Sequence, residues 1–367
     1  MARKTKTVTP GASTNLTPPA LPDHYDGSME TTGKYLVLFR EDAVDSAKAM
    51  IKDIAGLTHL AMVADFDSDD EFDAEAASNA PGILFPEIGV AVLSGDPTQI
   101  GSLSIAAEGD GDRGILAVEP ERIVHVMMEP GWVGAMSDPE PSTPSLTYLR
   151  GYRDAINHIY EQLATGGGAG AVAADPAVAA AFLDDAISTW GLKATRVVTS
   201  RFSGRGIRVA VLDTGFDSTH PDFVGRSVTM KSFVAGEPPQ DGHGHGTHCI
   251  GTACGPLRST FGRRYGIAHR ASIFAGKVLS NGGSGSDSGI LAGIEWALTN
   301  RCQVVSMSLG ASVGVGQPFS VVFESVARRC LQAGTIIIAA AGNTSRGANG
   351  RRLNPPNPVS HPANCPS

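Results

Sequence analysis

Four apolar segments, each five to seven residues long, constrain the fold of this 367-residue chain more than any other feature. They are residues 208–212, 272–278, 304–309 and 335–340. Segments that are apolar at nearly every position are typical of strands buried on both faces of a parallel sheet. Two amphipathic segments, 288–300 and 319–333, separate the later runs and place apolar side chains on one helical face. The alternation predicts a doubly wound α/β domain with a mostly parallel sheet, which we assign to residues 189–367.

Polar residues with catalytic potential stand where these strands end. Asp213 follows the first apolar run, Asn343 follows the fourth, and His245 is placed to begin a helix. In doubly wound sheets, ligands bind beyond the carboxyl ends of the strands. A hydroxyl nucleophile needs an imidazole to take its proton and a carboxylate to orient that imidazole. Asp213 and His245 suit these two roles, and Asn343 suits the role of a donor to a developing oxyanion.

Three blocks around these residues resemble motifs of the subtilisin-like serine proteases, the subtilases. The blocks read V-A-V-L-D-T-G-F-D-S-T-H-P-D-F, G-H-G-T-H-C-I-G-T and A-A-A-G-N, and they occur in the family's order. The resemblance implies a subtilisin-like α/β domain that hydrolyses peptide bonds through a Ser-His-Asp triad and an acyl-enzyme. It assigns Asp213 as the orienting carboxylate, His245 as the general base and Asn343 as the oxyanion donor.

The resemblance also implies a cleft for an extended peptide. Ser308, Leu309 and Gly310 would form the edge that pairs with the substrate backbone. Ala341 and Gly342 would line the pocket for the residue before the scissile bond. Backbone pairing binds extended peptides with little regard to their sequence, so the expected partners are protein or peptide substrates.

The nucleophile is the main departure from the family pattern. Subtilases carry it in a G-T-S-x-A-x-P motif, and no G-T-S occurs in residues 1–367. Ser345 cannot replace it, because the nucleophile must lie across from Asn343 and within reach of the imidazole. Our first hypothesis is a subtilase zymogen whose sequence stops at Ser367, before the nucleophile, so that these residues alone are inactive. The second is an inactive or split subtilase that binds peptides or a partner. A dinucleotide-binding oxidoreductase is disfavoured, because D-T-G stands where G-x-G-x-x-G would be needed.

Residues 34–128 have the pattern of a small α+β unit. Strands are predicted at 35–39, 60–63, 88–93 and 115–127, and helices at 43–54 and 97–107. This order and the closing V-E-P-E-R-I-V segment resemble the inhibitory prodomains of subtilases. The resemblance implies a ferredoxin-like fold and an intramolecular inhibitor of the peptidase domain. The acidic segment 65–75 is interpreted as a solvated loop, with a weak cation site as the alternative.

Two further segments flank this unit. Residues 1–33 are rich in Thr and Pro and are predicted to be a disordered tail. Residues 129–188 form a Pro-rich connector with helices predicted at 146–163 and 173–187. The start of the chain has no apolar segment of the kind found in signal peptides, which favours a cytoplasmic location, although most of the family is exported.

The sequence contains two candidate metal sites. Zinc-like spacing is formed by His243, His245, His248 and Cys249. The intervening glycines and the G-T-H-C-I-G-T context favour the protease interpretation instead. We therefore interpret His248 as a structural histidine and Cys249 as a thiol beneath the catalytic histidine, as in the proteinase K-like branch.

Calcium is the second candidate, because subtilases often bind it in the loop after the histidine helix. Here that loop, 255–266, has three arginines and no acid or amide. Asp222 matches a family ligand, but one carboxylate is insufficient. We therefore predict no metal at this site and no cofactor.

The overall charge excludes some partners. The chain has 29 Lys and Arg against 37 Asp and Glu, a net charge of −8, so binding to nucleic acid or anionic lipid is not expected. No apolar run approaches the ~20 residues that a membrane span needs. The five cysteines are odd in number and unevenly spaced, which argues against a disulfide framework.

Overall fold

A computed structural model describes residues 30–40, 49, 51–53, 60–68, 71–108, 114–127, 183–343, 345, 353 and 355–367. The strands are β1 (Thr31–Phe39), β2 (Ala61–Met62), β3 (Gly82–Phe85), β4 (Val90–Leu93), β5 (Ile115–Val126), β6 (Arg208–Asp213), β7 (Val228–Ser232), β8 (Ser272–Lys277), β9 (Ser284–Ser286), β10 (Val304–Met307), β11 (Leu309–Gly310) and β12 (Ile336–Ala339). The α-helices with bounds are α1 (Ala74–Asn79), α2 (Pro97–Glu108), α3 (Trp190–Ala194), α4 (His245–Cys254), α5 (Asp287–Thr299) and α6 (Val321–Gln332). Short 3₁₀ helices occupy Val63–Phe66, Val197–Thr199 and Pro221–Phe223.

The front of the chain forms a mixed sheet around β1. β1 pairs antiparallel with β4 and β5, and β3 pairs antiparallel with β4 and parallel with β2. Successive side chains of a strand point to opposite faces, and β1 uses both faces. Val37 and Phe39 pack against α2, whereas Leu36 and Leu38 belong to the core that includes α5 and α6. One face of this sheet therefore packs against α5 and α6.

The four apolar runs form the core of the second sheet. Its strand order is β12-β10-β6-β8-β7, and every pairing is parallel. Apolar residues of α4 pack on one face, and those of α5 and α6 pack on the other. A parallel sheet covered by helices on both faces confirms the α/β architecture predicted for this part of the chain.

We call the described residues between 30 and 127 the front unit. Its last strand, β5, joins it to the part of the chain that contains the second sheet. β5 pairs antiparallel with β9 through Ile123, Val124 and His125, and with β11 through His125 and Val126. It therefore lies between two short strands that follow β8 and β10. Since β6, β8 and β10 are parallel neighbours, β5 crosses the carboxyl end of the second sheet.

Charged side chains hold the front unit on α5 and α6. Glu295 of α5 accepts hydrogen bonds from the backbone N–H groups of Glu87 and Ile88, at 3.0 and 3.2 Å. Arg329 of α6 donates to the carbonyl oxygens of Ile88, at 2.5 Å, and of Phe39. An acid and a base thus bind the same turn between β3 and β4 through its backbone.

Two glutamates of β5 cap the same two helices. Glu119 accepts from the N–H groups of Val321 and Val322, at 2.6 and 3.2 Å, at the start of α6. Glu121 accepts from the N–H of Ser288, at 2.9 Å, at the start of α5. Carboxylates at helix amino ends satisfy unpaired N–H groups and interact favourably with the helix dipole. These bonds orient β5 relative to the amino ends of α5 and α6.

Several sequence predictions need correction. The segment 65–75 is not wholly loop, because it includes the end of a 3₁₀ helix and the start of α1, and Asp67 pairs with Lys231 of β7. The prediction missed β3, and the strand predicted at 60–63 shrinks to two residues. Residues 183–187, the end of the helix predicted at 173–187, are not helical.

Other predictions lie partly or wholly beyond the described residues. Residues 51–53 are helical, but most of the helix predicted at 43–54 is outside the described part, as is the helix predicted at 146–163. The disordered tail predicted at 1–33 is outside it up to residue 29, and the prediction is wrong for residues 31–33, which begin β1. In the described part of the chain, none of the helices combines the length and hydropathy of a membrane span.

Candidate active site

Asp213 and His245 meet at the carboxyl end of the parallel sheet. Asp213 is the last residue of β6 and His245 the first of α4, and their side chains are buried, with 1% and 7% of their surface exposed. Oδ1 of Asp213 lies 2.7 Å from Nδ1 of His245. It also accepts a hydrogen bond from the N–H of Thr214 at 2.8 Å. With Nδ1 engaged by the carboxylate, Nε2 is the ring nitrogen that remains to exchange a proton with a substrate or nucleophile.

The surroundings of His245 favour its charged form. Burial lowers the pKa of His245, but the hydrogen bond to Asp213 and the contact with the Cys249 thiol raise it more, to about 10. The sulfur of Cys249 lies 3.8 Å from Nδ1. A carboxylate that stabilises an imidazolium in this way provides what general base catalysis requires after the proton has been taken.

The cleft beside this pair holds the end of the front unit. The N–H of Met127 donates to the carbonyl of Ser308 at 3.0 Å, and the N–H of Val126 donates to the carbonyl of Gly283 at 2.9 Å. Nδ2 of Asn343 donates to the carbonyl oxygen of Met127 at 3.0 Å. The chain's own backbone therefore lies extended across the site, with one carbonyl at the predicted oxyanion donor.

Two of the other predicted cleft residues pair with this strand, and two lie against Ser360. Leu309 and Gly310 pair with Val126 and His125. A side chain on Gly310 would collide with the Met127 methyl group and with the backbone at His361. The carbonyl of Ala341 accepts from the N–H of Ser360 at 3.0 Å, and Gly342 has a φ of +106°, which favours glycine. The structure thus pairs Asp213 with His245 and places Ser308, Leu309, Gly310 and Asn343 against residues 125–127. Ala341 and Gly342 lie against Ser360.

Sequence reasoning missed the second edge of the cleft and one buried cation. The second edge is β9, which pairs with β5 opposite β11. Lys277 is fully buried beside Asp213 in the sheet register, and its Nζ donates to the carbonyl of Thr214 at 2.7 Å and to Asn281 Oδ1 at 2.9 Å. The sequence did contain a signal for Lys277, since a lysine stands near the end of an apolar run.

Comparison with known proteins finds a family and several relatives that match this part of the chain. A family model, the subtilase family of S8 peptidases, matches residues 204–367. These residues belong to the subtilase family. Subtilisin E of Bacillus subtilis (strain 168) is 39% identical over 178 residues, which are 48% of this chain and 43% of that protein. Subtilisin of Bacillus pumilus is 38% identical over 178 residues, or 48% of this chain and 59% of that protein. The cuticle-degrading protease of Metarhizium anisopliae is 36% identical over 164 residues, or 44% of this chain and 39% of that protein. The chain thus spans about half the length of these relatives.

The hydrogen-bonded pair of Asp213 and His245 also belongs to a group of potential metal ligands. In the described residues, Asp213, His245 and Cys249 form a group whose ligand atoms all lie within 4.8 Å of one another. The zinc-like spacing in the sequence joins His248 and Cys249 to His245, so the two sets of residues differ. The bond between Asp213 and His245 accounts for the group without a metal ion.

Asp222, which the family resemblance matches to a calcium ligand, is engaged by hydrogen-bond donors. Its Oδ1 accepts from the N–H and the hydroxyl of Thr260, both at 2.6 Å, and its Oδ2 accepts from the hydroxyls of Ser259 and Tyr265, at 2.7 and 2.6 Å. Calcium binds to oxygen lone pairs, and these four donors occupy those of the carboxylate. With three arginines in the same loop, the residues present do not fit a calcium ion.

Proposed function

We propose that the protein is a serine endopeptidase that hydrolyses protein or peptide substrates. The supporting observation is the position of an extended backbone between β9 and β11, with a carbonyl oxygen 3.0 Å from Asn343 Nδ2 beside the Asp213–His245 pair. In this proposal Asp213 orients the imidazole, His245 is the general base and Asn343 is the oxyanion donor. Ser308, Leu309 and Gly310 bind the substrate backbone.

The proposed reaction proceeds in two steps through an acyl-enzyme. In the first, Nε2 of His245 takes the proton of a serine hydroxyl while its oxygen attacks the substrate carbonyl carbon. The carbon–nitrogen bond then breaks, and His245 gives the proton to the leaving amine. In the second, water adds across the ester, so that the carbonyl carbon gains its hydroxyl and the serine regains its proton. Asn343 donates to the negatively charged carbonyl oxygen in both steps.

In this proposal the nucleophile comes from a segment other than residues 1–367. No G-T-S occurs in these residues, and Ser345 is two positions from the proposed oxyanion donor. We propose that a G-T-S-x-A-x-P segment supplies the serine in the active protein. Residues 1–367 alone are then expected to hydrolyse a chromogenic peptide no faster than background.

The front unit is proposed as the inhibitor of this site. β5 already fills the cleft, so a substrate strand can pair with β9 and β11 only after β5 has left. We assign residues 34–128 to this prodomain and 129–188 to a connector. The ferredoxin-like class is part of the same proposal for residues 34–128. We further propose that the site works without calcium or another cofactor.

A serine-directed fluorophosphonate applied to the purified whole protein tests the proposal. We expect one serine to be labelled within a G-T-S-x-A-x-P peptide, and we expect His245→Ala to abolish the labelling. Lys193→Ala serves as the control, because Lys193 belongs to α3 on the surface. Labelling that persists in His245→Ala would contradict the assigned base.

Peptide binding without hydrolysis is the second candidate function. The observation that favours it is that the cleft binds a strand through backbone bonds in a sequence that contains no G-T-S. If the whole protein resists the fluorophosphonate but retains casein-derived peptides on a column, this alternative replaces the endopeptidase proposal.

A further inference from the structure

Asp241, four residues before His245, collects hydrogen bonds from the start of α4. Its Oδ1 accepts from the N–H groups of His243 and Gly244, at 2.9 and 2.8 Å. Its Oδ2 accepts from the N–H and the hydroxyl of Thr247, at 2.9 and 2.6 Å. One carboxylate thus binds backbone groups on both sides of His245.

Thr214 links this carboxylate to the strand that carries Asp213. Its hydroxyl donates to Oδ1 of Asp241 and accepts from the N–H of Gly246, each at 2.9 Å. Thr214 is fully buried, immediately after Asp213, and Gly246 immediately follows His245. The neighbours of the two pairing residues are therefore joined through a single hydroxyl.

The strand end and the helix start are also in direct backbone contact. A Cβ atom on Gly246 would overlap the carbonyl oxygen of Gly215 and would lie 3.1 Å from the N of Thr214. Only glycine permits this approach. The distance between β6 and α4 is therefore set by backbone packing on one side and by Thr214 and Asp241 on the other.

Asp241 is ionised in this setting. Burial raises its pKa, but the hydrogen bonds from Thr247, Gly244 and His243 lower it more, so that the pKa lies below its ordinary value. Negative charge is favourable at the amino end of a helix, and charge-assisted bonds to N–H groups are short and strong. The carboxylate thus restrains the first turn of α4 more firmly than a neutral acceptor would.

We propose that Asp241 is a positioning residue for the Asp213–His245 pair, holding the first turn of α4 and, through Thr214, the end of β6 at the separation that the pair requires. The proposal deepens the endopeptidase function and rests on it for the catalytic meaning of the pair. Its geometric content is independent of hydrolysis, because the bond between Asp213 and His245 exists without a nucleophile. Small misplacements of reacting groups reduce rates strongly, which gives such a residue its importance.

The experiment measures the ring hydrogen bond and the pKa of His245 directly. The chain of residues 1–367, with ¹⁵N-labelled histidine, is titrated by NMR in the unsubstituted form and as Asp241→Ala, Thr214→Val and Thr214→Ser, with His245→Ala to assign the signal. In Asp241→Ala and Thr214→Val we expect the downfield Nδ1–H resonance of His245 to broaden or vanish. We also expect the proton affinity of His245 to fall about tenfold, a pKa decrease of about one unit. Thr214→Ser keeps the hydroxyl, so we expect the Nδ1–H resonance and the pKa of His245 to match those of the unsubstituted chain.

Asp217→Ala is the matched control. The Asp217 side chain accepts from the N–H and hydroxyl of Thr219, at 2.9 and 2.7 Å, and from Nε2 of Gln240 at 3.0 Å, and none of these bonds reaches a neighbour of the pair. The backbone N–H of residue 217, which donates to Oγ1 of Thr247 at 2.9 Å, is kept in the variant. Its loss is expected to lower the melting temperature and leave the His245 signals unchanged.

Two results would overturn the proposal. One is a His245 resonance and pKa that stay unchanged in Asp241→Ala and Thr214→Val, and the other is an equal change in Asp217→Ala. If Asp241→Ala does not fold, Thr214→Val and Thr214→Ser decide the question alone. Failure of the whole protein to hydrolyse casein would count against the endopeptidase function, whereas unchanged His245 signals would count against the positioning role.

Discussion

The carbonyl oxygen of Met127 lies 3.0 Å from Nδ2 of Asn343, so the proposed oxyanion donor is bound to the chain's own backbone. The strand that brings Met127 there pairs on both sides with the edges of the cleft. A carbonyl in this position is the one whose carbon a nucleophile would attack. The front unit therefore occupies the cleft in the manner of a substrate.

The first prediction is that the active protein cuts itself on the carboxyl side of Met127. Mass spectrometry of the released amino-terminal fragment should show Met127 as its last residue. Met127→Asp is expected to slow this cut at least tenfold, because a charge would enter the space beside Gly310. His125→Ala is the control, since His125 is exposed. A fragment that ends at another residue in the unsubstituted protein would contradict this assignment.

The second prediction concerns the pH dependence that His245 imposes. The pKa of His245 is raised from 6.5 to about 10 in the folded protein, because Asp213 and Cys249 outweigh the effect of burial. A group whose folded pKa is raised contributes stability that is complete below its unfolded pKa and is lost as the pH rises to the folded pKa. The free energy of unfolding should therefore fall between pH 6.5 and 10, by up to about 1.4 kcal/mol per pH unit.

Urea unfolding at a series of pH values measures this slope. Asp213→Asn should remove most of it, and Cys249→Ala should move its upper limit to lower pH. In the active protein, the same ionisation should make hydrolysis faster at alkaline pH, since His245 must be neutral to accept a proton. A slope in Asp213→Asn equal to that of the unsubstituted chain would show that another group causes it.

The parallel sheet could be predicted because its strands are apolar at almost every position. Arg208–Asp213 and Ile336–Ala339 lie within a residue or two of the predicted bounds. The same holds for α5, whose amphipathic pattern shows which face is buried. Asp213, His245 and Asn343 could be placed because the ends of parallel strands converge.

The contacts between the two parts could not be predicted in this way. Glu295 lies on a helix whose pattern indicates burial, but its partners are N–H groups 208 and 207 residues away. β9 consists of three small residues, Ser284–Ser286, and it becomes a strand only because β5 pairs with it. The local sequence pattern does not predict such long-range pairing, because tertiary context overrides the local propensity for a strand.

The third prediction is that Glu295 makes stability depend on pH in mildly acidic solution. Burial raises the pKa of Glu295 from 4.5 to about 7, although the N–H groups of Glu87 and Ile88 act in the opposite direction. The folded protein therefore binds this proton more tightly than the unfolded chain. The stability that results is complete below pH 4.5 and is lost as the pH rises through 7, a decrease of about 3 kcal/mol.

Glu295→Gln should flatten this part of the profile, because glutamine does not ionise. Glu324→Gln is the matched control on α6, because the pKa of Glu324 is lowered: hydrogen bonds from Ser367 and Arg328 outweigh its burial. Its loss should change the profile with the opposite sign. Unfolding followed by circular dichroism from pH 3 to 8 distinguishes the two, because the stability that Glu324 contributes is lost only as the pH falls below 4.5. If Glu295→Gln and the unsubstituted chain have parallel profiles, the carboxyl does not titrate in this range.

The fourth prediction is that Asp222 stabilises the protein without calcium. Four hydrogen bonds fill its carboxylate, and they keep the pKa of Asp222 at about 2 despite the opposing effect of burial. Removal of the carboxylate in Asp222→Ala leaves the Tyr265 hydroxyl and the Thr260 N–H without their acceptor, and we expect a loss of about 2 kcal/mol. Asp185→Ala, which removes an exposed carboxylate on the surface, should cost much less than Asp222→Ala. Because donors fill the carboxylate, the melting temperature should be the same in a calcium chelator and in millimolar calcium, for the unsubstituted chain and for both variants. A melting temperature that rises with calcium only when Asp222 is present would show that the cation displaces these donors.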